Sequence, residues 1–173
     1  QGLSQLLLCY ICSIVEGGDL VLDDIPPDIK LRISNMGLVS TDSRAHNEIS
    51  ALLSEIGFEH KNEASPFDGQ KGSDLFSGEV DFMQTYMAID MANMKHRIAV
   101  EFEGPSHFLG FESGLGRSGR ISNGATRMKK RILERLGGKV VKIPWFEWHE
   151  VNKGDSWKPE KIKYLKRKLL KSL

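Results

Sequence analysis

Long hydrophobic runs are missing from this 173-residue chain. The longest, Leu6–Val15, spans ten residues and is broken by Ser13, where a membrane helix needs about 20. No Met and no basic stretch precede it, so it does not read as a signal peptide. A chain that opens on Gln1-Gly2 reads instead as a piece of a longer polypeptide, whose targeting address it would not carry. Cysteine is equally scarce. Cys9 and Cys12 are the only two, too few for a disulfide-stapled secreted scaffold. Their C-x-x-C spacing has no second Cys/His pair to complete a zinc site and no βαβ pattern around it, so both read as small buried hydrophobes. Net charge is the third scarcity, with 24 Lys/Arg against 23 Asp/Glu.

What is present is unevenly placed. Residues 1–92 carry 5 Lys/Arg and 15 Asp/Glu, whereas residues 93–173 carry 19 and 8. The near-zero total is a cancellation between an acidic half and a basic half, and a polyanion is the natural partner of the second. With 40% apolar and 27% charged residues, the composition is that of an ordinary globular domain.

Apolar spacing predicts the elements. Leu3–Val15 is apolar nearly all round and fits a buried helix, the end of an upstream helical array that occupies residues 1–40. Gly17-Gly18 closes it, and Pro26-Pro27 opens a segment from Asp28 to Met36. In Arg44–Ile56, Ile49, Leu52, Leu53 and Ile56 recur at helical spacing, and Gly57 ends the pattern. Residues 61–78 are polar and punctuated by glycine, a loop. Glu79–Ile89 and Arg97–Phe102 read as the strands of a hairpin turning at Asn93–His96. Residues 104–124, with six glycines, form a long loop. A helix at Ala125–Leu136, a strand at Lys139–Ile143 and a helix at Pro159–Leu173 complete residues 41–173. This is an α/β (α+β) domain, a small mixed sheet flanked by helices with a helical lead-in.

Three groups of residues carry chemistry. In the hairpin, alternation puts Glu101 and Glu103 on one face, with Asp90 on the opposite arm and Asp81 as its competitor. Three converging carboxylates suit Mg²⁺ or Mn²⁺ and metal-assisted phosphodiester cleavage, with Asp90 and Glu101 as ligands; the other reading is a solvated Glu101 and a turn-capping Glu103. His107 serves either as general acid or base or as a brace for the loop. The second group is basic: Arg127, Lys129, Lys130, Arg131 and Arg135 on one helix, and Lys158, Lys161, Lys163, Lys166, Arg167, Lys168 and Lys171 on the last. Solvated helices usually mix charge signs, and these do not, which favours phosphate contacts over docking against the acidic half. The third is Trp145, Phe146 and Trp148, rings that either stack on splayed RNA bases, with Trp148 the candidate, or pack the core.

The runs IAVEFEGPSHF, MKKRILERLGGKVVKIPWFEWHEV and YLKRKL together resemble the RAP domain. This is an RNA-binding domain abundant in apicomplexans and found at the end of FAST-kinase-like mitochondrial proteins. The resemblance spans Ile89–Leu173 and implies RNA binding in an organelle, usually the mitochondrion, in RNA processing, transcript stability or ribosome assembly. It also implies a restriction-endonuclease-like core close to very-short-patch repair enzymes. There Asp90 would match the metal-binding Asp, Glu101 the strand acid, His107 the turn histidine and Lys129 the helix Lys. The chain departs from the nuclease pattern where Glu103 replaces the Lys expected two residues after the strand acid.

Three functions follow as expectations. The first is an RNA-binding module whose basic helices grip organellar rRNA or mRNA, working with ribosomal or RNA-processing proteins and no membrane. The second is a Mg²⁺- or Mn²⁺-dependent endoribonuclease using Asp90, Glu101, Glu103, Lys129 and His107. The third is a structural subunit of a mitochondrial ribosome.

Overall fold

The computed structural model describes residues 2–19, 24–34, 43–66, 87–109, 121–151 and 157–171. Helices α1 (Gly2–Glu16) and α2 (Pro27–Ser34) precede α3 (Arg44–Glu55), β1 (Lys61–Ala64), β2 (Ile89–Asn93) and β3 (Ile98–Glu103). After them come α4 (Gly124–Arg135), β4 (Lys139–Pro144), α5 (Trp145–Glu150) and α6 (Trp157–Leu170). The strands form one sheet in the order β1-β2-β3-β4. The first three are antiparallel and β4 runs parallel to β3, so the sheet is mixed, as the pattern predicts. Parallel neighbours need a crossover, and α4 supplies it.

Side-chain alternation sorts the two faces. Met91, Ile98, Val100, Val141 and Ile143 meet Ile49, Leu52 and Leu53 of α3, Trp148 of α5, and Tyr164 and Leu165 of α6. On the opposite face Ala92 and Ala99 lie under Leu133 of α4. Small residues there let α4 approach the sheet closely. Leu7 and Ile11 of α1 then pack on Ile132 of α4. No helix among the described residues is long and apolar enough to cross a membrane.

The helix ends follow local chemistry. Ser43 and Asn123 cap α3 and α4, accepting the His46 and Thr126 amides at 3.2 and 2.9 Å. Both helices close on a glycine at positive φ, Gly57 at 80° and Gly137 at 82°, where a Cβ would be strained. Arg97, itself at φ 54°, reaches from the hairpin end to the carbonyls of Leu136 and Gly137, tying the end of α4 to the sheet.

Several expectations need correction. The hairpin exists, but its first arm is Ile89–Asn93, later than predicted, because the pairing Met91↔Val100 and Asn93↔Ile98 pushes the turn to residues 94–97. Residues 79–86 and Asp81 lie outside the described residues. Lys61–Ala64 is not loop but an edge strand; its polar side chains are mostly exposed, so no alternation marks it. Trp145–Glu150, to which the sequence pattern assigns no element, form α5. Cys9 is exposed and only Cys12 is half-buried, since the α1 stripe that meets α4 is Leu7 and Ile11.

Candidate functional site

Glu101 and Glu103 share one side of β3, as alternation requires, and α4 lies above them. Both are buried, at 7% and 2% exposure. Each has taken a lysine from a different element. Lys129 of α4 donates to Glu101 Oε2 at 2.5 Å. Lys142, beside Glu101 in the β3–β4 register, pairs with Glu103 and donates to Ser122 Oγ at 2.9 Å. Asp90 stands across the hairpin, its Oδ2 accepting the Phe102 amide at 2.7 Å. Glu101 Oε1 is buried and accepts no hydrogen bond among the described residues.

This arrangement perturbs four of its groups. Burial pushes the Glu101 carboxyl up to about 7; Lys129 opposes that rise and the charge of Asp90 adds to it. Burial works against the Lys129 ammonium, yet Glu101, Asp90 and Glu63 hold it above its ordinary value. Burial lowers His107, more than Asp90 restores, so the imidazole is neutral near pH 7. Its Nδ1 lies 3.1 Å from Thr126 Oγ1. Burial and the charge of Lys168 lower Lys142. Around these groups opens a cleft of about 210 Å³, also lined by Ser106, Asn123 and Lys130. Buried, mutually perturbed acids and lysines at a cleft are what active sites and tight anion sites share.

Asp90, Glu101 and Glu103 do not gather as one three-ligand set. Among the described residues the group whose ligand atoms all fall within 4.8 Å is His46, Glu63 and Asp90, drawn from α3, β1 and β2. Sequence reading missed both new members. His46 sits three positions past the Ser43 cap of an amphipathic helix, and Glu63 sits in the unrecognised edge strand; only the pairing of β1 with β2 brings them together.

Residues 100–168 match the RAP domain family. The matched segment contains Glu101, Glu103, His107, Lys129, all of α4 and α6 up to Lys168, whereas His46, Glu63 and Asp90 precede it. The RAP match points to RNA as the partner.

Across α4, α6 and the residue after it the basic residues divide into two sets. Many are neutralised internally, several by the acidic half of the chain: Arg131 by Glu16 at 2.6 Å, Lys158 by Glu55 at 2.9 Å and Lys161 by Glu48 at 2.7 Å. Lys130 pairs with Glu134 at 3.5 Å and Lys168 with Glu147 at 2.8 Å. The charge asymmetry of the sequence is thus partly spent inside the fold. A second set, Arg127, Arg135, Lys163, Lys166, Arg167 and Lys171, is exposed and has no acidic partner among the described residues. Trp148 requires correction as a base-stacking residue. It is 2% exposed in the core, with its indole N–H on Glu48 Oε2 at 3.2 Å, so neither ring face is open to a base.

Proposed function

We propose that this chain is the RNA-binding module of an organellar, mitochondrial RNA-processing or ribosome-associated protein, and that it holds RNA by its phosphates. The observation that carries this reading is the exposed set on and just after α4 and α6, cations that have no acidic partner among the described residues. Phosphate contacts of this kind release counterions, so affinity falls steeply with salt. Anisotropy titrations of single-stranded RNA across a salt series test it. The triple variant Lys163→Ala/Lys166→Ala/Arg167→Ala lowers the log–log slope by about 2, near 0.7 for each contact to a single strand. Binding that does not respond to salt overturns the proposal.

A second reading, metal-dependent endoribonuclease on a restriction-endonuclease-like core, is favoured by one specific contact. Lys129 reaches from α4 to Glu101 and puts an ammonium beside the strand acid, although Glu103 occupies the expected lysine position. The orphaned Glu101 Oε1 fits a cation, and Asp90 and Glu101 would hold Mg²⁺ or Mn²⁺. Such an ion supplies an activated water and charge neutralisation at the phosphate. Lys129 orients Glu101 and adds positive charge at the same spot, while the neutral His107 is able to hold a proton at the cleft wall. Incubation of purified protein with RNA in Mg²⁺ or Mn²⁺ decides the matter. Glu101→Gln abolishes cleavage on this reading; cleavage that persists unchanged in the variant belongs to a contaminant.

A further inference from the structure

His46 is a buried polar group on the sheet-facing side of α3. It is 5% exposed, yet among the described residues its imidazole makes no hydrogen bond. Its Nδ1 faces Glu63 Oε1 at 3.8 Å, too far for a hydrogen bond. Two donor atoms that share a cation at about 2.1 Å lie about 3–4 Å apart, which is this spacing. Asp90 closes the set within 4.8 Å. Glu63, Asp90 and Glu101 also gather negative charge in this region, where all three stabilise the ammonium of Lys129. Glu63 is 42% exposed and leaves an entry path from solvent.

We infer that His46, Glu63 and Asp90 form a binding site for a divalent transition-metal ion of the Mn²⁺ or Zn²⁺ class. One imidazole and two carboxylates select such ions over Mg²⁺, which prefers oxygen alone. Three protein ligands leave further coordination positions open, as in metal sites that bind water or substrate. The site joins α3, β1 and β2, so it lies outside the RAP match. It shares Asp90 with the nuclease reading but neither His46 nor Glu63.

The test uses the full chain and Mn²⁺ alone, chosen because the free thiols of Cys9 and Cys12 readily take Zn²⁺. Free Mn²⁺ is read from its electron paramagnetic resonance signal. One ion binds per chain, and Glu63→Gln and His46→Gln each weaken binding about tenfold or more. Glu59→Gln, a carboxylate change on the neighbouring exposed surface, leaves affinity unaltered. Pulsed resonance on the loaded protein shows ¹⁴N coupling from a bound imidazole, absent in His46→Gln. Circular dichroism melts check folding; should His46→Gln not fold, the more exposed Glu63→Gln and the nitrogen coupling of the unmodified protein decide. Absence of that coupling, or unchanged affinity in Glu63→Gln, overturns the site. Binding that weakens only in Glu101→Gln also overturns it and points to the nuclease ligands instead. Loss of the salt-dependent RNA interaction touches neither measurement.

Discussion

Lys161–Glu48 and Lys129–Glu101 are both lysine–glutamate pairs drawn out of water, and they are finished differently. Lys161 donates to both oxygens of Glu48 at 2.7 Å, Trp148 adds an N–H, and the ammonium lies 4.4 Å from the Trp148 ring centroid. Nothing in that pair asks for another partner. In Lys129–Glu101 one carboxylate oxygen is bonded and the other is orphaned, Asp90 presses its charge on both, and a cleft opens beside them. A completed pair fixes α3, α5 and α6 around one face of the sheet. An incomplete pair holds chemical potential for a ligand, and that marks the second pair as the site.

The comparison breaks most sharply at Lys161. Lys161→Ala strands Glu48 beside the Trp148 core and costs about 3 kcal/mol, read as a lower urea midpoint with an unchanged slope. Salt-dependent RNA binding by the folded variant stays as in the parent, because Lys161 is buried.

Glu101 gives a comparable effect that depends on pH. Its folded pKa, about 7, exceeds the ordinary carboxyl value of 4.5, so the folded state keeps a proton that the unfolded chain has lost. The resulting stabilisation is complete below pH 4.5 and disappears as pH rises through 7, a decline of roughly 3 kcal/mol. Glu101→Gln removes that decline, checked by urea melts at pH 5 and pH 7.5. Lys158→Ala comes last. Its pair with Glu55 is about half exposed on both sides, so thermal unfolding of the variant shows a loss below about 1 kcal/mol.

Residues with strong local periodicity were legible from sequence. Ile49, Leu52 and Leu53 announce α3, and Ile98, Val100 and Phe102 announce β3 and thereby place Glu101 and Glu103 on one side. The two lysine–glutamate pairs were not legible, because Glu48 and Lys161 stand 113 residues apart and Glu101 and Lys129 stand 28 apart. Spacing reports neighbours along one helix or strand, not which helix crosses which strand. The same limit hid β1: Lys61 and Asn62 face solvent, so the strand exists only through its ladder to β2. Trp148 shows the converse error, since an aromatic beside basic residues looks like a base platform until its burial is known.

Between β3 and α4, Phe108 bridges Ser122, and the Leu109 amide donates to the Ile121 carbonyl at 2.8 Å. Asn123 then donates its amide to the His107 carbonyl at 2.8 Å. The chain is therefore stitched shut at the root of the segment from 109 to 121, right beside the cleft. A stitched root makes the cleft geometry independent of how many residues hang beyond it. Doubling such a loop costs only about 0.6 kcal/mol in closure entropy. The position is thus a natural graft point, where a longer or shorter segment can be exchanged without disturbing Glu101, Lys129 or His107.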